Sequence, residues 1–142
     1  MARNIELFDQ MVGHIFATLY EAFPIASDVD AMPIIQKISW HDDEKAHVYF
    51  QSTYQWLISA GYVTGKPLLS SYTYTECLLT AKGLEVLKGM PKSLREDAQP
   101  LGEEISKAVK AGAADSVKGL VGQALTAGVH LAMDAAKAYF HS

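Results

Sequence analysis

The stretch Trp56-Leu57-Ile58-Ser59-Ala60-Gly61-Tyr62-Val63, followed after a turn by Leu78-Leu79-Thr80-Ala81-Lys82-Gly83-Leu84-Glu85-Val86-Leu87, decides how this chain folds. Gly61 is placed to end a helix, because a glycine just past the last turn adopts the left-handed conformation at little cost. Tyr62 to Thr64 then reads as a strand, Gly65-Lys66-Pro67 as a turn, and Ser71 to Leu79 as a second strand with Tyr72, Tyr74, Glu76 and Leu78 on one face. Thr80 is a cap for a short helix carrying Leu84 and Leu87, and Pro91 follows it.

Working outward, residues 4 to 23 repeat apolar groups at spacings of three and four: Ile5, Phe8, Val12, Ile15, Phe16, Leu19 and Phe23. This spacing predicts an amphipathic helix, capped by Asn4 and stopped by Pro24. A connection follows, with a short strand expected at Pro24 to Ala26. Residues 31 to 38 form a second helix, with Asp30 as cap, Pro33 in its first turn and Ile34, Ile35 and Ile38 inward. Ser39 caps a third helix, with Asp42 at the capping-box position. Its buried side is expected to hold Val48 or Tyr49, then Phe50, Thr53, Tyr54, Leu57 and Ile58.

Helix, short helix, helix, hairpin and closing helix is an order that resembles a winged helix-turn-helix domain. The resemblance covers about residues 4 to 91 and rests on that order together with Ala60-Gly61-Tyr62-Val63 and Leu79-Thr80-Ala81-Lys82-Gly83. It implies a mainly α domain at residues 1–92 with a small β-hairpin wing. It further implies a DNA-binding transcriptional regulator whose third helix enters the major groove and whose wing reaches the adjacent backbone. On that reading the nucleic-acid contacts fall to Lys45, His47, Gln51 and Ser52, with Lys66 on the wing.

The charges on those elements oppose the implied role. The start of the third helix is His41-Asp42-Asp43-Glu44-Lys45-Ala46-His47, three acids against one lysine. Carboxylates near phosphates are repulsive, and they read only cytosine amino groups. No Arg occurs between Asn4 and Ser93. Residues 1–92 hold seven Lys and Arg against ten Asp and Glu, so this unit is itself acidic. The remaining basic candidates are Lys37 and Lys82. Acids in a first turn also have a plain structural reason, since they favour the positive end of the helix dipole. A winged helix that docks a protein partner needs no basic face, and it is the alternative function.

Composition changes after Pro91. Residues 93–102 read as a polar linker, and residues 103–142 as one long Ala- and Gly-rich helical segment. Ala108, Gly112, Ser116, Ala124, Gly128, Ala132 and Ala136 lie four apart, interrupted by Leu120. They make a shallow groove that a second backbone can approach. Gly112, Gly119, Gly122 and Gly128 each weaken an isolated helix by about 0.8–1 kcal/mol relative to Ala, so packing must offset them. Three readings remain open: pairing between two chains as a dimer, packing on the chain's own winged domain, and binding to a membrane surface. Lys107, Lys110, Lys118 and Lys137 are few for the last. A bend is expected near Gly119 to Gly122.

The 142 residues suffice for one core with an added element, and the net charge of −4 repels phosphates in the mean. Cys77 is the single cysteine, which suits a reducing cytoplasm, and no secretory leader is apparent at the start. Gly119 to Met133 is too short to span a bilayer. No phosphate loop, nucleophile elbow or zinc motif is present, so no cofactor, metal or catalytic residue is assigned. Asp43 and His47 form at most half a metal site, with His41 nearby. His14 reads as a boundary or core histidine, His130 as a group that could pair with another chain, and Cys77 as a strand thiol with no basic cluster to activate it.

Overall fold

A computed structural model describes residues 3–38, 43–68, 71–93 and 95–141. The elements follow in the order α1 (Arg3–Ala22), β1 (Ser27–Asp30), α2 (Ala31–Lys37), α3 (Asp43–Ser59), β2 (Val63–Leu68), β3 (Thr73–Leu79), α4 (Ala81–Lys88), α5 (Leu101–Ala111) and α6 (Ala114–His141). The fold is mainly helical, with a three-stranded antiparallel sheet of order β1-β3-β2. This architecture is compatible with a winged helix. The caps expected at Ser39 and Asp42 lie outside the described residues.

The junction between α3 and α4 follows the expected chemistry. Gly61 takes φ +86°, and the Tyr62 amide returns to the Leu57 carbonyl at 2.9 Å. Thr80 caps α4 by accepting from the Gly83 amide at 3.0 Å. Its hydroxyl also donates to the Gly61 carbonyl, so one side chain closes one helix and opens the next. Lys82 donates to the Ala60 carbonyl at 2.8 Å, which satisfies an end-of-helix acceptor on α3. Gly83 abuts the Tyr62 carbonyl so closely that a Cβ would collide with it.

The strands depart from the expected pattern. The first strand lies at Ser27–Asp30 instead of Pro24 to Ala26, and β2 runs through Gly65-Lys66-Pro67, which was expected to turn. Within β3 the buried groups are Tyr74, Cys77 and Leu79, while Glu76 is exposed. Strict alternation would have grouped Tyr74, Glu76 and Leu78. Glu76 has φ +54°, and both ladders slip there: Thr64 faces Leu78 but Lys66 faces Thr75, and Ser27 faces Cys77 but Val29 faces Tyr74. One extra residue in β3 forms a bulge that reverses the inward face beyond it. Asp30 precedes α2 but caps nothing with its side chain, which instead accepts from the Thr73 hydroxyl across the sheet at 3.1 Å.

The expected single C-terminal helix is two helices. The break falls at Gly112, with φ +67°, and not near Gly119 to Gly122, which lie inside α6. The expected linker is also shorter, because α5 already begins at Leu101. The segment before it is held in place: Arg95 meets both oxygens of Glu104 at 2.8 Å, the Gln99 amide donates to Glu104 at 3.2 Å, and the Lys92 amide donates to Gln123 at 2.7 Å.

Both C-terminal helices pack on α1, whose residues Met11 to Ala17 are all buried. One face of α1 carries the apolar repeat read from the sequence. The opposite face is small or polar, with Gly13, His14 and Ala17. Gly13 receives the Val117 side chain, Gly102 receives the Tyr20 ring, and Gln10 donates to the Ala114 carbonyl at 2.8 Å. Leu101, Ile105, Ala108, Val117, Val121 and Ala124 thereby join the same buried cluster as Phe16, Phe50, Tyr54 and Leu87.

Substitutions at two pairs of glycines test this packing. Gly119 and Gly122 have open space where a Cβ would stand, so Ala at either should stabilise α6 by up to about 1 kcal/mol. A Cβ at Gly128 or Gly83 collides with Tyr62, so Ala at either should cost about 1–3 kcal/mol. Thermal unfolding distinguishes the two signs.

The Arg95–Glu104 pair sets a pH dependence. Hydrogen bonds from Arg95 hold the Glu104 carboxyl below its usual range, against an opposing effect of burial. The resulting stability is present above the unfolded carboxylate value and is lost as pH falls through the lower folded value. Arg95→Ala should therefore be less stable than wild type at neutral pH. The gap in denaturant midpoint should close on acidification; a gap independent of pH would argue against this pair.

Candidate functional site: the outer face of helix α3

Among the described side chains of α3, the exposed ones are Lys45, Val48, Tyr49, Ser52, Gln55, Trp56 and Ser59, spaced by three and four. They form one stripe along the helix. Ala46, Phe50, Thr53, Tyr54 and Leu57 form the opposite, buried side. Of the alternatives Val48 or Tyr49 expected in the core, neither is buried: Val48 is 54% exposed and Tyr49 36%. Ala46 takes the inward position at that end because it stands four residues before Phe50, on the same helix face.

Three large side chains, Val48, Tyr49 and Trp56, therefore stand on the outer face of α3. Trp56 is 45% exposed and is supported edge-on by Phe8 of α1, with ring centroids 5.3 Å apart. Ile5, one turn earlier on α1, is half exposed as well. These side chains extend the apolar stripe of α3 toward the start of α1.

The residues expected to touch nucleic acid do not share one face. Lys45 and Ser52 are on the outer stripe. His47 is partly covered by Tyr72, with ring centroids at 4.3 Å, and Gln51 is also partly buried, its carbonyl accepting from Tyr74 at 3.3 Å. Lys66 lies on β2 and pairs with Glu76 at 3.0 Å, so its charge is balanced locally. Lys82, a further basic candidate, serves inside the fold, over the Tyr62 ring at 4.4 Å and on the Ala60 carbonyl. A cation–π and hydrogen-bonded lysine of this kind is unsuited to a phosphate contact.

The residues expected to mediate oligomerisation also divide. Ala108, Ala124 and Gly128 are buried within the chain, Gly128 against the Tyr62 ring. Gly112, Ser116 and Ala132 are exposed. They do not form a continuous groove, because Gly112 turns the backbone between α5 and α6. Small residues allow close helix packing wherever a partner helix stands, and here α1 and Tyr62 occupy part of the groove.

Cys77 is fully buried, and burial pushes its thiol up, with the neighbouring Tyr54 hydroxyl partly opposing. Tyr54 is likewise pushed up, and its hydroxyl donates to the Thr64 carbonyl at 2.8 Å. Tyr74 stacks on Tyr54 at 4.2 Å, a cross-element packing role in keeping with its burial. Among the described residues there is no cluster of metal-ligating side chains and no helix long and apolar enough to cross a membrane. His130 is exposed on α6.

Comparison of the chain with protein-family models, with curated proteins and with solved structures finds no match in any of the three.

The orientation of α3 is testable by stability. Val48→Ser should change unfolding free energy by no more than about 0.5 kcal/mol, because the side chain stands in water. Phe50→Ala should cost about 3–5 kcal/mol, because it empties a fully buried site. Denaturant titration of both variants checks which face is inward.

Proposed function

We propose that residues 3–88 form a winged helix-turn-helix domain acting as a protein-docking module, with the outer stripe of α3 as its contact surface. The observation that carries this reading is the composition of that stripe. Val48, Tyr49 and Trp56 supply apolar area, Ser52 and Gln55 supply neutral polar groups, and among the described residues of the stripe Lys45 alone is basic. Interface centres favour aromatic residues and are depleted in charge. The partner that fits is a protein segment with an apolar, weakly charged face, such as an amphipathic helix.

The order of elements supports the winged-helix assignment, with β2 and β3 as the wing and α3 in the recognition position. A DNA-binding regulator is the second reading, favoured by the placement of Lys45 and Ser52 on the outward side of that helix. Homodimerisation is part of both readings. It falls to the outer surface of α6, where Val129 and Met133 are more than half exposed, since Ala108, Ala124 and Gly128 are used within the chain. A reducing cytoplasm suits the buried, unpaired Cys77.

Two measurements separate these readings. Fluorescence anisotropy with mixed duplex DNA should show no binding at about 50 mM salt. Binding that falls steeply toward about 200 mM would overturn the docking reading in favour of the regulator, because phosphate contacts release counterions. Selection from an unbiased displayed peptide library should return apolar peptides of low charge whose binding is lost in Val48→Glu. Peptides indifferent to that substitution would remove α3 as the docking surface.

A further inference from the structure

We propose that the outer face of α6 pairs with the same face of a second copy of the chain, antiparallel, about a twofold axis at Thr126. This rests on the homodimer of the functional reading above, and it fixes the surface, direction and register of that dimer. The docking role of α3 does not enter it.

The stripe Asp115, Gly119, Gly122, Thr126, His130, Met133 and Lys137 runs along α6, and each of its residues is exposed. The opposite side of the helix, with Val117, Val121, Ala124 and Gly128, is buried in the chain's own core. Steps of three and four keep the stripe on one helix face, and they are the spacing at which two helices interlock. Residues 115 to 137 span about 33 Å of helix. Val129, beside the stripe, is 57% exposed and Met133 is 51% exposed, so the face has apolar area to bury.

Two properties select a second copy as the occupant. The first is spacing. Gly122, Gly119 and Asp115 stand four, seven and eleven residues before Thr126, and His130, Met133 and Lys137 stand four, seven and eleven after it. The same helix turned end for end therefore meets the stripe in register.

The second is that the two halves are opposite in size and in charge. Antiparallel pairing sets Met133 of each copy against Gly119 of the other, His130 against Gly122, and Lys137 against Asp115. A Cβ at Gly119 or Gly122 meets nothing within 4 Å, so the chain leaves room there for the larger side chain of the other copy. Among the described residues neither Asp115 nor Lys137 forms an ion pair. Parallel pairing would set glycine on glycine, methionine on methionine and like charge on like charge. Exposed ion pairs add little affinity, so the charges choose direction and register while apolar burial supplies the attraction.

The surroundings of the stripe fit the same occupant. Gly119, Gly122, Thr126 and His130 line one side of an open groove of about 660 Å³, with Val86, Gly89 and Met90 on the other. Met90 is 60% exposed, which extends the apolar margin beyond α6. Glu85, Lys92 and Asp134 also line the groove and give it no dominant sign. An occupant of balanced charge suits it, and α6 carries Asp115 and Asp134 against Lys118 and Lys137.

The test is light scattering of the full chain from about 1 μM to 1 mM, which should show a concentration-dependent dimer. An Ala methyl at Gly119 displaces only the flexible end of Met133, whereas Leu fills the space outright. Gly119→Leu should keep its far-UV circular dichroism, because Leu favours the helix, and should weaken dimerisation at least about tenfold. Asp115→Lys should weaken it about threefold or more, and adding Lys137→Asp in the same chain should restore it. Cysteine cross-linking under mild oxidation reads the direction, with the native Cys77 buried and out of reach. Thr126→Cys should link to its own copy, and Asp115→Cys should link to Lys137→Cys but not to itself. A monomer at every concentration would overturn the proposal together with the homodimer. A dimer in which Asp115→Cys links to itself is parallel, and a dimer indifferent to Gly119→Leu uses another surface. Either result would overturn the proposal and leave the homodimer standing.

Discussion

The Tyr62 side chain is the contact on which the rest of this structure depends. It leads into β2 immediately after the left-handed turn at Gly61, yet its ring reaches into four other elements. Lys82 lies over one part of the ring, Phe16 of α1 approaches to 5.9 Å and Trp56 of α3 stacks at 6.3 Å. The hydroxyl donates to the Leu125 carbonyl on α6 at 3.2 Å, beside Gly128. An aromatic ring buries a large area with few torsions to fix, and its polar tip can still be satisfied at a distance from its backbone. Tyr62 thus couples the end of α3, the start of the sheet, the cap of α4 and the C-terminal helix.

That coupling changes the meaning of the small residues in α5 and α6. A helix rich in Gly and Ala is weak alone and accepts any close neighbour. In this fold the neighbours are α1, whose second face offers Gly13 and Ala17, and Tyr62. Part of the small-residue pattern is therefore consumed inside the chain, and the exposed remainder around Gly112, Ser116 and Ala132 is discontinuous. The same packing leaves a gap where α1, α2 and α5 do not close, and polar side chains line it.

Several elements were legible because a local rule governs them. The apolar repeat from Ile5 to Phe23 marks α1, Pro33 and the isoleucines mark α2, and Thr80 and Gly61 mark helix ends whose chemistry lies within a few residues. The β-bulge was not legible. Alternation in Tyr72, Tyr74, Glu76 and Leu78 looks regular, and nothing in those residue types announces a positive φ at Glu76. The inward side of α3 was legible in Phe50, Thr53, Tyr54 and Leu57 but failed one turn earlier, where Ala46 is buried in place of the larger Val48 or Tyr49. Hydrophobicity ranked the larger residues inward, whereas helix phase placed the small one there. The polar side chains of the cleft gave little signal, because His14 and Ser106 are remote in sequence and each is unremarkable beside its neighbours.

The sequence by itself determined the order of helices and hairpin, the glycine and threonine chemistry of the α3–α4 junction, and the shortage of basic residues on the third helix. These follow from short-range periodicity, capping and charge, which act over a few residues. Only the tertiary structure decided that the C-terminal segment breaks at Gly112 and folds back on α1, that Lys82 and Lys66 are engaged within the chain, and that His14 and Ser106 meet around one cavity. Those outcomes depend on which surfaces come together across the chain. Side-chain shape and the pairing of buried polar groups select them at contact, and residue types in linear order do not encode that geometry locally.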